Sequence, residues 1–174
     1  MSEFSECYHL KADCQQIVVD LIKESNNKGY VFPEKNGWVT FVLKGQALNM
    51  DEQIISLNPS VLIHYIYSED HGWALRIFKK SEIEFEYSFM WTDDDEIHIE
   101  KNHFDLTLLN ELIISQGNTI DGIESLFDIN EDMFDLDEPP AYAIAQKLGL
   151  TYYEWMSDDY IDTIDTDETI IFVE

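Results

Sequence analysis

Residues Trp91–Asp105 read WTDDDEIHIEKNHFD, with six acidic side chains and two histidines in fifteen positions. Carboxylates and imidazoles are the usual ligands of divalent ions. A zinc centre needs about four of them to converge on one point. His98, His103, Glu100 and Asp105 could supply such a set only if the chain folded back sharply between His98 and His103. Calcium is the next chemistry to weigh. DINEDMFDLDEP places Asp128, Asn130 and Asp132 at the first, third and fifth positions of an EF-hand loop. Its sixth residue is Met133, where that loop needs glycine, and its twelfth is Pro139, where a glutamate should close the shell. The motif fails. Asp158, Asp159, Asp162, Asp165, Asp167 and Glu168 crowd the last stretch and fit weak, non-specific cation binding rather than a built site. No resident metal or cofactor is expected.

Nucleophilic catalysis finds little footing. The chain has no GxSxG elbow and no glycine-rich phosphate loop, and only seven glycines in all. Cys7 and Cys14 do not have zinc spacing and read as ordinary thiols. His64 shares strand parity with Leu62 and Ile66 in VLIHYIY, which reads as a core position. His71 falls in the turn SEDHG. With thirty-six acids, some carboxylate pair is inevitable, so glycosidase spacing cannot be read.

The elements that hold these residues follow from periodicity. Ile17, Val18, Leu21 and Ile22 recur at helical spacing behind Asp13, which predicts a helix over about Cys14–Ser25 with Asp13 as N-cap. CYHL before it reads as a short strand. Asn36-Gly37 supplies the positive φ of a tight hairpin turn between Tyr30–Phe32 and Trp38–Lys44. NMDEQIISLNP reads as a short helix. Val61–Tyr67 and Trp73–Lys79 form a second hairpin. In SEIEFEYSFMW, Ile83, Phe85, Tyr87, Phe89 and Trp91 alternate with Glu82, Glu84 and Glu86, so one face should lie on a core. EIHIEK continues the sheet with Ile97 and Ile99 inward. Glu96, His98 and Glu100 would then join Glu82, Glu84 and Glu86 on an outer acidic face, with Arg76 as the nearby counter-charge. Helices follow over about Phe104–Ser115, in TIDGIESLFD, and over Ala141–Leu148 behind Pro139-Pro140. ETIIFVE reads as a last strand, and TYYEWMSDDYI is ambiguous. The order predicts an α+β fold, a mostly antiparallel sheet with helices on one face. One domain over 1–174 is expected, with the more acidic 121–174 open to reading as a helical subdomain.

Charge narrows the partners. Ten Lys and Arg oppose thirty-six Asp and Glu, a formal net of −26. Residues 121–174 hold sixteen of the acids and one base, Lys147. Such a field repels nucleic acid and anionic membranes and draws basic proteins. A chain with one arginine is a poor phosphate binder. It carries neither a secretory leader pattern nor a membrane-length apolar run, so a cytoplasmic protein is expected.

The expected function is therefore an acidic protein-binding module for a basic partner, of the immunity or inhibitor type against a nuclease or nucleic-acid-binding protein. Its contact residues are expected to be Glu82, Glu84, Glu86 and Glu100, Tyr153 and Trp155 as aromatic anchors, and Asp158, Asp159 and Asp162. The sequence leaves open a divalent-cation protein or cation-dependent enzyme, and an acidity that serves solubility alone. It does not name an oligomeric state.

Overall fold

The computed structural model describes residues 2–45, 48–128, 138–161 and 169–174. An eight-stranded antiparallel sheet organises them: β1 (Phe4–Lys11), β2 (Gly29–Val31), β3 (Trp38–Leu43), β4 (Val61–Ser68), β5 (Gly72–Lys79), β6 (Glu82–Trp91), β7 (Ile97–Glu100) and β8 (Ile171–Val173). Their order across the sheet is β7-β6-β5-β4-β1-β3-β2-β8. Four helices accompany it: α1 (Gln15–Glu24), α2 (Glu52–Leu57), α3 (Leu106–Ser115) and α4 (Pro140–Lys147). The α+β class and the antiparallel sheet are those expected. Among the described residues no helix is long and apolar enough to cross a membrane.

The helices do not gather on one face. Val18, Val19, Leu21 and Ile22 of α1 and Ile54 of α2 pack with Tyr8, Leu10, Phe41, Leu62 and Phe78 on one side of the sheet. Leu109, Leu112 and Ile113 of α3 and Ile144 of α4 pack with Tyr65, Trp73, Phe85 and Tyr87 on the other. The central strands are buried at both parities. β3 is buried at all six positions, and each of Val39, Phe41, Val42 and Leu43 gains about 1.5–3 kcal/mol on leaving water. The same two-sided burial lengthens β1, expected only at CYHL, to eight residues between β4 and β3.

Local signals set several boundaries. Asn36 and Gly37 take φ of 56° and 84° and close the β2–β3 hairpin. Asn36 Nδ2 donates to the Gly149 carbonyl (2.9 Å), and Trp38 Nε1 donates to that of Leu148 (2.9 Å), so this hairpin also caps the end of α4. Asp105 caps α3 by accepting from the Thr107 N–H at 2.9 Å, and Asp51 caps α2. The expected cap of α1 is corrected: Cys14, not Asp13, is the extended residue at its start, and it makes no side-chain cap bond. TIDGIESLFD forms only a short 3-10 turn over Glu124–Phe127.

β6 departs from strict alternation. Ile77 pairs with Phe85, but Phe78 pairs with Ile83, leaving Glu84 as the extra residue of a β-bulge. Ile83 therefore packs with the α1–α2 core while Phe85 belongs to the α3–α4 core. The single outer face expected for Glu82, Glu84 and Glu86 is thereby broken.

Candidate functional site

Antiparallel register brings separated acidic segments to one end of the sheet. Phe4, Ser68, Gly72, Met90 and His98 form one cross-strand row over β1, β4, β5, β6 and β7. At strand spacing that row spans about 19 Å. The chain just beyond it is acidic on every strand. Glu3 precedes β1, Glu69 and Asp70 form the β4–β5 turn, and Asp93–Glu96 form the β6–β7 turn. Glu69, Asp70 and Asp93–Glu96 are exposed.

The turns are tied to one another by backbone. Glu69 N–H donates to the Glu3 carbonyl at 3.0 Å, and Trp91 N–H donates to the His71 carbonyl at 2.6 Å. The β6–β7 turn closes through Thr92 N–H to the Glu96 carbonyl at 2.8 Å, with Asp95 at φ 58°.

The segment around Met156 joins this end. Glu6 N–H donates to the Met156 carbonyl (2.8 Å), and Trp155 N–H donates to Glu3 Oε1 (2.9 Å). The Tyr142 hydroxyl donates to Glu3 Oε2. Burial first, then that carboxylate, pushes the Tyr142 pKa well above the ordinary phenol value. Glu154, Asp158 and Asp159 are thus added to the same end. Lys44, whose Nζ lies 4.0 Å from Asp158, stands at its border on the β3 side. Across the β1–β7 span of this end no described residue is Lys or Arg. The opposite end is mixed: Lys11, Lys79 and Lys80 stand there with Asp13, Glu34 and Glu82.

The residues expected from sequence fall in different places. Glu82 pairs with Lys79 at the opposite end, and Glu84 is the bulge residue. Glu86, 12% exposed, bonds Arg76 Nε through Oε2 at 3.1 Å and accepts from Asn102 through Oε1 at 3.3 Å. Glu100 is 3.8 Å from Arg76 Nη2. Arg76 is the counter-charge expected for this face. Tyr153 is buried at 8% in the α3–α4 core, edge-on to Tyr65 and Tyr142, so its ring is not a surface anchor. Trp155 is half-buried beside Tyr160. Asp158 is half-buried and Asp159 exposed. Asp162 lies outside the described residues, as do Asp165, Asp167, Glu168 and most of the DINEDMFDLDEP segment.

Two buried polar clusters escaped the sequence reading. On one face, Cys7 Sγ lies 3.3 Å from His9 Nε2, and His9 Nδ1 lies 2.8 Å from Thr40 Oγ1. The layout resembles a nucleophile with its base and orienting group. Its electrostatics are the reverse of a reactive thiol's. Burial pushes the Cys7 thiol well up, and burial together with the nearby His64 pushes His9 down to about 3. Both groups stay neutral, and neither is exposed. On the other face, His64 Nε2 lies 3.2 Å from Glu6 Oε2, and Glu6 Oε1 accepts the Leu48 N–H at 2.9 Å. Burial lowers the His64 pKa, against the opposing pull of Glu6. His64 is a core histidine, as its parity implied. The available signal for Cys7 and His9 was their i, i+2 spacing, which puts both on one side of a strand.

The metal geometries raised by Trp91–Asp105 do not form. His98 points to the Met90 side of the sheet, Asp105 is occupied as a helix cap, and no three His, Cys, Asp or Glu converge to hold a metal among the described residues. No protein-family model matches the chain, and no curated protein or solved structure matches it.

Proposed function

We propose that the protein is an acidic protein-binding module that docks on a basic surface of another protein, as an immunity or inhibitor protein docks on a nuclease or nucleic-acid-binding protein. One observation carries this reading. Three acidic segments distant in sequence (Glu69–Asp70, Asp93–Glu96 and Glu154–Asp159) share one end of the sheet around the buried Glu3, with no described Lys or Arg over its β1–β7 span, while at the other end Lys11, Lys79 and Lys80 offset Asp13, Glu34 and Glu82. Charge sorted in this way makes a dipolar molecule, and such a field orients an incoming basic partner and raises its encounter rate. Solubility alone requires net charge, not its segregation.

The contact surface in this reading is the acidic end, with Asp158, Asp159 and the half-buried Trp155 at its margin. Glu82, Glu84 and Glu86 are set aside, because each is diverted by a lysine neighbour, a bulge or Arg76. The field that attracts basic protein equally disfavours direct nucleic-acid binding.

The test starts from a captured partner. Immobilised protein would be exposed to lysate at low and high salt, and the retained protein purified. Its association rate would then be measured with wild type, with an Asp70→Asn/Asp93→Asn/Asp94→Asn/Asp95→Asn variant, and with Glu82→Gln. The expected result is a basic partner whose on-rate falls at least about tenfold in the quadruple variant and with added salt, but not in Glu82→Gln. An unchanged on-rate in the quadruple variant overturns the reading.

A further inference from the structure

The acidic end runs into an open edge of the sheet. β7 is the last strand of its side, and all four of its residues are exposed. Ile97 and Ile99 have the parity of the α3–α4 core, opposite Trp91 and Phe89, yet they are 39% and 43% exposed. His98 and Glu100 point to the other side, opposite Met90 and Ser88.

The ladder fixes which backbone groups are spent. Thr92 N–H donates to the Glu96 carbonyl, so Thr92 and Glu96 form a hydrogen-bonding pair. In an antiparallel ladder such pairs alternate, so His98 and Glu100 turn their N–H and C=O toward β6. Ile97 and Ile99 turn theirs outward. Among the described residues no backbone group bonds to that outer side. A strand edge of this kind is a template for one more strand.

Charge selects the occupant. A second copy pairing antiparallel with Ile97 opposite its Ile99 would set Glu96 against Glu100 twice, and would bring two molecules of net −26 together. Like charges opposite one another across strands repel. An extended basic segment meets the opposite situation. Its side chains on one face would lie beside Ile97 and Ile99, and those on the other beside Glu96, His98 and Glu100.

We infer that β7 is a docking edge for an extended partner segment that alternates basic and apolar residues and adds to the sheet as a ninth strand. This rests on the reading of the acidic end as a protein-binding surface and specifies how the partner is held. The backbone of Ile97 and Ile99 supplies register, the two isoleucines take the apolar side chains, and the cations meet Glu96 and, on the far side of His98, Glu100, which at 55% exposure remains accessible beside Arg76.

The test uses the full-length chain and two peptides of one composition: acetyl-Lys-Val-Lys-Val-Lys-Val-amide and acetyl-Lys-Lys-Lys-Val-Val-Val-amide. Binding is read by amide shifts and hydrogen exchange of the ¹⁵N-labelled protein. The alternating peptide is expected to bind at least about tenfold more tightly and to protect the amides of Ile97 and Ile99. Ile99→Pro should abolish that preference, because it removes an outward N–H that the fold does not use. If that variant fails to fold, Ile97→Lys/Ile99→Lys keeps both donors, removes the apolar pair and is expected to lose the preference as well.

Equal binding of the two peptides, or protection elsewhere, overturns the inference. So does protection of Ile97 and Ile99 that grows with protein concentration without peptide, since the occupant is then a second copy. If Asp93–Asp95 neutralisation weakens binding and Ile99→Pro does not, strand addition falls and the acidic surface stands. If neither variant matters, both fall.

Discussion

Arg76 and Glu86 face each other directly across β5 and β6, with Nε 3.1 Å from Oε2 and both side chains nearly enclosed, at 13% and 12% exposure. Glu100 completes the group at 3.8 Å. The sole arginine of a chain with thirty-six acids is therefore used internally, where it neutralises carboxylates that β-pairing pushes together. Arg76→Met leaves Glu86 enclosed and uncompensated. The expected cost is about 1–3 kcal/mol, less than for a fully buried pair because water reaches its rim. Adding Glu86→Gln should recover much of that loss. A double-mutant cycle by urea unfolding measures the coupling, and simple additivity would show that the pair contributes nothing.

The bulge in β6 yields a sharper contrast. Glu84 is the residue without a cross-strand partner. Its deletion converts the Phe78–Ile83 and Ile77–Phe85 pairs into a regular ladder, and each side chain keeps its face. The expected penalty is under about 2 kcal/mol, an unusually small effect for shortening a strand inside a sheet. Deletion of Glu86 instead shifts one flank of β6 by a residue, which exchanges its faces. That protein should not fold. Thermal unfolding by circular dichroism of the two deletion variants decides the matter.

The same bulge marks a limit of sequence reading. Ile83, Phe85, Tyr87 and Phe89 alternate without a break, and nothing in SEIEFEYSFMW announces that Ile83 joins the other core. Its placement depends on the partner strand, where Phe78 must meet the α1–α2 layer. Local chemistry was readable where its causes lie within a few residues, as at the Asn36-Gly37 turn and the Pro139-Pro140 helix start, but the caps were not: Asp105 of α3 went unread and Asp13 does not cap α1. Two-sided burial was not, since an apolar residue at either parity looks the same until both layers are in place. The acidic end shows the division clearly. Each of its segments stands out in the sequence, but only the strand order brings Glu3, Asp70 and Asp94 together.

Buried histidines predict an acid limit to stability. His9 has its pKa lowered to about 3, by burial first and by the proximity of His64 second, and His64 is lowered as well. The unfolded chain takes up protons on both as pH falls through the ordinary value of 6.5, while the folded chain does not. Stability is therefore complete above about pH 6.5 and declines below it, by up to about 1.4 kcal/mol per pH unit for each histidine, until the folded group itself protonates. His9→Gln should be less stable at neutral pH, having lost its fit to Cys7 and Thr40, but should show a shallower acid slope. Urea unfolding at about pH 7.5, 6.5 and 5.5 tests this. Parallel pH profiles for the two proteins would exclude His9 as the source.

The acidic end carries a cost that should be measurable without any partner. Asp93, Asp94 and Asp95 are consecutive and exposed, and no described lysine or arginine stands over the β1–β7 span of that end. Their repulsion is present in the folded state and diluted in the unfolded chain, so it opposes folding. Neutralising them in Asp93→Asn/Asp94→Asn/Asp95→Asn should raise Tm by about 2–4 °C at low salt, the shift expected of roughly 1 kcal/mol in a domain of this size. Added NaCl should raise the wild-type Tm and narrow the gap, because screening at about 0.15 M already acts within some 8 Å. Glu82→Gln, beside Lys79, should do neither. A surface whose charge can be removed with a gain in stability is one retained for something other than folding, which is the usual exchange at binding sites. A neutralised variant that is less stable than wild type at every salt concentration would show instead that these aspartates hold the β6–β7 turn, and the argument from charge would then lose its thermodynamic support.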